Sequence, residues 1–171
     1  MEDPVLADTA GLEAWTVEMK SGDAGRFADG VVAQARRAGA EVLVVRGDMV
    51  FGEDHLRSAL YHAKKAMKEG RNSSDSLAME TLLYASGERQ LSTAIKKMAL
   101  DDSAGFAVVA RLEAGESMAG ASWKRLPKAR ADIGPSDLIR FGLSPEELAT
   151  AGGAAIDLVL EKVAAVDILK K

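Results

Sequence analysis

A chain of 171 residues, 47% hydrophobic and 28% charged, with 16 Gly and 4 Pro, is long enough to bury a core and unlike fibrous, linker-like or disordered sequences. The absence of Cys excludes disulfide scaffolds, thiolate zinc sites and cysteine nucleophiles. The net charge of −4 gives the molecule as a whole no attraction for nucleic acid. No apolar run nears the roughly 20 residues that span a bilayer, and the start up to Asp8 has no basic stretch followed by an apolar one, so no membrane contact and a cytoplasmic location are expected.

In chain order, Trp15, Val17 and Met19 alternate with polar Thr16 and Glu18, which predicts a half-buried strand. Phe27, Val31, Val32 and Ala35 recur at helical spacing, and Gly39 is placed to end that helix. The nearly all-apolar, β-branched run 41–46 reads as an interior strand, followed by a loop at Gly47, Asp48 and Gly52. A helix from Glu53 carries Leu56, Leu60, Ala63 and Met67 toward the core and Arg57, Lys64, Lys65 and Lys68 on a strip predicted to face solvent. Gly70 ends it.

Ser73 to Asp75 offer caps for a second helix through Tyr84 that stops at Gly87, and Leu91, Ala94, Ile95 and Met98 define a third. The segment 105–112 reads as a strand, with Phe106, Val108 and Ala110 on one face. A short helix is expected around 117–125. Ser144, Pro145 and Glu147 form a capping signature for another helix. The segment 154–170 has one stripe of Ile156, Val159, Leu160, Val163 and Val166, and further apolar residues (Leu158, Ala165, Ile168, Leu169) beyond it. These elements predict a single α/β domain of the α+β type over 1–171, a small mixed or antiparallel sheet packed with several helices.

Familiar chemical fingerprints are missing. No dinucleotide or phosphate-loop glycine pattern and no nucleophile elbow occur. His55 and His62 share a helix without a carboxylate to complete a ligand set, so they read as structural or surface residues. Asp101 and Asp102 look like a turn. No catalytic residue, metal or cofactor is assigned.

Charge is unevenly distributed: 56–97 holds eight basic and four acidic residues, hence +4, which leaves −8 for the rest. Inside that window the joint from Ala85 to Leu91 links two helices with almost no loop. The start of the second helix presents free N–H groups, Gly87 permits close approach, Arg89 can fork onto a phosphate and Gln90 can read a base edge. A single-stranded RNA end suits such a cleft, and a capped helical hairpin with surface Arg and Gln accounts for the same residues.

The order Asn72-Ser73, Met79-Glu80, Leu82-Leu83, Ala85-Ser86-Gly87, Arg89-Gln90-Leu91 and Ala94-Ile95 resembles the TPRKB-like small regulatory subunit of the KEOPS complex. Val159 to Ala164 is similar to that family's final helix. The resemblance implies a non-catalytic subunit that binds the atypical small kinase/ATPase of KEOPS. It further implies recruitment of tRNA by its 3′ CCA end for threonylcarbamoyladenosine synthesis, or alternatively protein-only activation of the kinase without RNA contact.

Carried over by position, the RNA-contacting residues are Asn72, Ser86, Gly87, Arg89 and Gln90, with Lys64 on a phosphate and Leu77 or Ile95 as a pocket wall. Leu77 and Ile95 fit core packing as well. The kinase-facing residues are placed on the last helix, at Leu158, Lys162, Ala165 and Leu169. A homodimer would cover the same apolar surface.

Overall fold

The computed structural model describes residues 2–152 and 154–170. Four strands form an antiparallel sheet in the order β2-β3-β1-β4, with β1 at Glu13–Glu18, β2 at Val42–Arg46, β3 at Phe106–Arg111 and β4 at Lys124–Arg125. Among the described residues the helices are α1 (Pro4–Asp8), α2 (Ala24–Arg37), α3 (Glu53–Lys68), α4 (Leu77–Ser86), α5 (Leu91–Met98), α6 (Pro135–Phe141), α7 (Pro145–Thr150) and α8 (Ala155–Leu169). The expected α+β architecture is present, and the sheet is antiparallel.

Strand alternation distributes the core to two sides of the sheet. Ala14, Leu43, Val45, Val108 and Ala110 join a large cluster with Leu56, Leu60 and Ala63 of α3, Leu83 of α4, and Val159, Val163 and Val166 of α8. On the other face Trp15, Val17 and Val109 pack with Val31 and Ala35 of α2 and with Met118, flanked by Phe27 and Trp123. Asp102 Oδ1 accepts the N–H of Ala24 at 3.2 Å, so the acidic turn caps the start of α2.

Three sequence readings are corrected. The run 41–46 forms the edge strand β2, and the interior strands are β3 and β1. Helices above and below the sheet bury a strand's two faces wherever it lies, so apolar content did not report its lateral position. The helix expected over 117–125 is absent. There the buried Arg111 guanidinium donates to the carbonyls of Gly115 at 2.6 Å and Glu116 at 2.9 Å, holding a loop that ends in β4. The cap of α4 is Ser76, whose Oγ accepts the N–H of Met79 at 3.3 Å, rather than a residue of 73–75.

The serines before that cap serve a buried charge. Glu80 has no exposed surface, and its Oε2 accepts the N–H groups of Ser73 at 2.9 Å and Ser74 at 3.0 Å. Its other oxygen pairs with Lys170 after α8. One turn along α4, Tyr84 donates to Asp167 Oδ1 at 2.5 Å, and His62 Nδ1 hydrogen-bonds Asp167 Oδ2 at 2.8 Å. Burial alone would raise the Asp167 pKa, but the bonds from Tyr84 and His62 outweigh it and hold the group below its ordinary value. Burial, then the bond to Asp167, pushes the Tyr84 phenol far up, so it stays a donor.

Glu80→Ala strips partners from two N–H groups and a lysine, so it should destabilise the chain by about 3 kcal/mol. Glu80→Gln, which keeps one acceptor oxygen, should cost less. Urea denaturation measures both, and an unchanged midpoint for Glu80→Ala would show that the carboxylate is not held as described.

Candidate functional site

The stretch singled out by sequence folds as a helical hairpin followed by a short joint. His55 ties the start of α3 to the end of α4. Its Nδ1 accepts the N–H of Phe51 at 3.1 Å, and its Nε2 bonds the carbonyl of Ala85 at 2.7 Å. Complete burial lowers its pKa to about 4 despite the Ala85 carbonyl, with Lys97 adding to the effect, so the ring is neutral at pH 7. Among the described residues no three His, Asp or Glu side chains gather in a metal-holding group.

At the joint, Ser86 is fully buried. Its hydroxyl donates to the Leu83 carbonyl at 2.7 Å and accepts the Glu88 N–H at 3.1 Å. Gly87 has φ +69°, and a Cβ there would stand 3.4 Å from Lys162 Cβ and 3.7 Å from the Phe141 ring. Lys97 closes the rest. Its Nζ donates to the carbonyl of Ser86 at 2.5 Å and to that of Phe141, approaches Glu88 Oε1 at 3.2 Å, and lies 4.0 Å from the centre of the Phe141 ring. Burial lowers its pKa against the pull of Glu88.

The open, glycine-floored notch expected at this joint is therefore filled by the protein's own side chains. Ser86 holds the joint and does not face outward. The exposed rim consists of Arg89, Gln90 and Lys96, with Ile95 39% exposed.

The remaining expected RNA contacts lie at the other end of α4, whose ten residues span roughly 15 Å. Asn72 donates to the Ser74 carbonyl at 3.0 Å and shapes the α3–α4 connection. Leu77 is only 9% exposed and belongs to the core cluster. It lines a shallow cleft of about 380 Å³ with Lys64, Met67, Glu41, Asp75 and Glu113, an acidic wall.

The basic strip on α3 is also partly engaged. Lys64 donates to the Asp8 carbonyl at 3.1 Å and lies 3.7 Å from Glu113. Arg57, expected in solvent, bonds Glu53 at 2.5 Å and the Thr9 carbonyl at 2.7 Å. Lys65 and Lys68 are exposed, and with Tyr61, Lys64, Asp8 and Glu69 they border a cleft of about 570 Å³. Sequence reading missed Tyr61, whose position on the lysine face of α3 follows from helical spacing. Nothing local in the sequence signalled Lys97.

On α8, Val159, Val163 and Val166 face the core; of the surplus apolar residues, Leu158 is half-buried against that core, Ala165 is half-buried, and Ile168 and Leu169 are exposed. Leu158, Lys162 and Ala165 meet Leu143, Glu147, Thr150 and Ala151 around a groove of about 520 Å³ between α7 and α8. Glu147, already the capping-box residue of α7, pairs with Lys162 at 2.9 Å. Leu169, 48% exposed, and Ile168, 71% exposed, lie beyond the groove.

A family model described as kinase binding protein CGI-121 matches residues 27–130, more than half of the chain. The chain belongs to the CGI-121 family. No curated protein matches it. The matched segment runs from α2 past β4 and contains the α3–α4–α5 hairpin and joint, the part in which the sequence resemblance is densest. The groove and α8 lie outside it. Membership in a family of kinase-binding proteins supports a kinase as partner and a regulatory role. No helix among the described residues is long and apolar enough to cross a membrane.

The buried His55 makes stability depend on pH. Its folded pKa, about 4, lies below the ordinary 6.5, so its contribution is fully present above pH 6.5 and is lost as pH falls toward 4. The loss should be on the order of 3 kcal/mol. Urea titrations between pH 7 and 4 measure it, and a resonance assigned to the His55 imidazole, by comparison with the His62→Gln variant, that titrates near pH 6.5 in the folded chain would contradict this burial.

Proposed function

We propose that this CGI-121 family member is the small regulatory subunit of a KEOPS-type assembly. In this reading it docks on the atypical kinase/ATPase and brings tRNA to the enzyme that makes threonylcarbamoyladenosine. The observation that carries the reading is the kinase-binding family match, together with an α8 that has more apolar surface than its core contact uses. The chain contributes no proton-transfer chemistry in this role. It raises the local concentration of the modification site at the catalytic subunits.

For the kinase, Leu158 and Ala165 supply the apolar floor of the α7–α8 groove, Lys162 with Glu147 its polar rim, and Leu169 an extension. Such a mixture of apolar centre and charged edge suits a protein partner. For RNA, the accessible groups are Arg89, Gln90 and Ile95 at the rim of the joint, and Lys65 and Lys68 at the opposite end of the hairpin. The distance from His55 to Lys68 along α3 is roughly 20 Å, a span suited to an unpaired 3′ tail at one end and acceptor-stem phosphates at the other. Gly87 and Ser86 act beneath that surface by fixing the joint.

Purified full-length chain and cognate kinase test the first half. Leu158→Asp combined with Ala165→Glu should weaken binding at least about tenfold with an unchanged circular-dichroism spectrum. Unaltered affinity would remove α8 from the interface. For the second half, tRNA with an intact end should bind more tightly than tRNA lacking CCA. Arg89→Ala should weaken binding even at low salt, and Lys65→Glu should reduce the salt dependence by about one to two ion equivalents. Equal binding of the two tRNAs would overturn capture of the 3′ end.

A further inference from the structure

From the position of α1 we infer that the acidic segment of residues 2–8 is a displaceable cover over the lysine face of α3, competing with a polyanion for that face. This inference rests on the RNA-binding reading above. Three observations carry it.

First, α1 is fastened weakly: it has no buried residue, Leu6 is 54% exposed, and residues 2–8 belong to neither core cluster. Second, its seat is the cationic strip. Asp8 lines the cleft bordered by Lys64, Lys65, Lys68 and Tyr61, and Lys64 donates to the Asp8 carbonyl at 3.1 Å. Lys64 thereby caps the carbonyl end of a short helix, the position where a helix dipole attracts a cation. Third, the segment has a fixed pivot directly after it. Thr9 is fully buried and its carbonyl is held by Arg57 at 2.7 Å. At Gly11 a Cβ would come within 2.2 Å of the Ala114 backbone nitrogen, so the chain there is pressed against its neighbour.

The firm contacts therefore lie at 9–11; α1 adds to them the Val5 carbonyl, which accepts the Thr9 hydroxyl, and its departure removes no member of either core cluster. Its charges, Glu2, Asp3 and Asp8, are of the sign that phosphates bring. A polyanion reaching Lys65 and Lys68 gains Lys64 as well once Asp8 withdraws, because the ammonium exchanges a neutral carbonyl for a phosphate oxygen. Glu69, at the end of α3 in the same cleft, and Glu113, 3.7 Å from Lys64, stay in place, and together they set a limit on the gain.

The test uses the full-length chain with Glu2→Gln, Asp3→Asn and Asp8→Asn together; Asn at position 3 preserves the side-chain cap that Asp3 gives to Val5. A control with the same change in net charge carries Asp29→Asn, Glu116→Gln and Glu146→Gln, all exposed positions away from α3. Binding of intact tRNA is followed by fluorescence anisotropy over a series of salt concentrations. The α1 variant should bind about fivefold more tightly than the control, and the amides of 5–8 in the wild-type chain should exchange faster in the complex than free.

Equal gains for variant and control, or amides of 5–8 that become more protected in the complex, would overturn the cover while leaving RNA binding intact. If wild type and both variants fail to bind tRNA even at low salt, the RNA-binding reading fails and the cover falls with it.

Discussion

Glu80 is a carboxylate without exposed surface, and the way its charge is satisfied decides where α8 sits. Two main-chain N–H groups from the α3–α4 connection hold one oxygen, and Lys170 holds the other. Leaving any of these groups unmatched in a dry interior is far more expensive than the small net benefit of forming the pair. The arrangement is therefore specific: α8 is registered on the hairpin by polar partners as well as by valines. Tyr84, His62 and Asp167 repeat the same principle one turn away. Because the outward side of α8 supplies the proposed kinase surface, the inner polar contacts fix which residues are outward.

The same logic explains why the basic middle of the sequence is less basic at the surface than its composition suggests. Lys97 closes the carbonyl ends of two helices, Arg57 holds the turn after α1, and Arg111 gathers a loop. Cations engaged in this way neutralise helix ends and connections. What remains for a polyanion is a smaller set, at the exposed rim of the α4–α5 joint and on the outer face of α3.

Helical periodicity and capping were legible because they are local: the stripe of α3, the stop at Gly87 and the box at Ser144 follow from residues a few positions apart. The sheet order was not legible, since an apolar run is compatible with centre and edge alike when helices cover both faces. The loop before β4 misled for a different reason: Arg111, the last residue of β3, holds the carbonyls of Gly115 and Glu116, a side-chain contact that apolar periodicity does not report. At the candidate site, sequence identified the joint but could not show its interior. Phe141 and Lys162, which fill the space above Gly87, arrive from α6 and α8. The surplus apolar side of α8 was visible in its composition, whereas the groove needed α7 beside it.

The long sequence separation between Glu80 and Lys170 also bears on how the molecule is made. At roughly 5–20 residues per second, a ribosome needs roughly 5 to 18 s to deliver the 90 residues that separate them. During that interval the nascent hairpin carries an anionic side chain whose lysine does not yet exist. Ser73 and Ser74, close by in the chain, are the partners available to it at once. The serine pair thus supplies the partners of the acid that lie near it in the chain, and Lys170 the one that is made last.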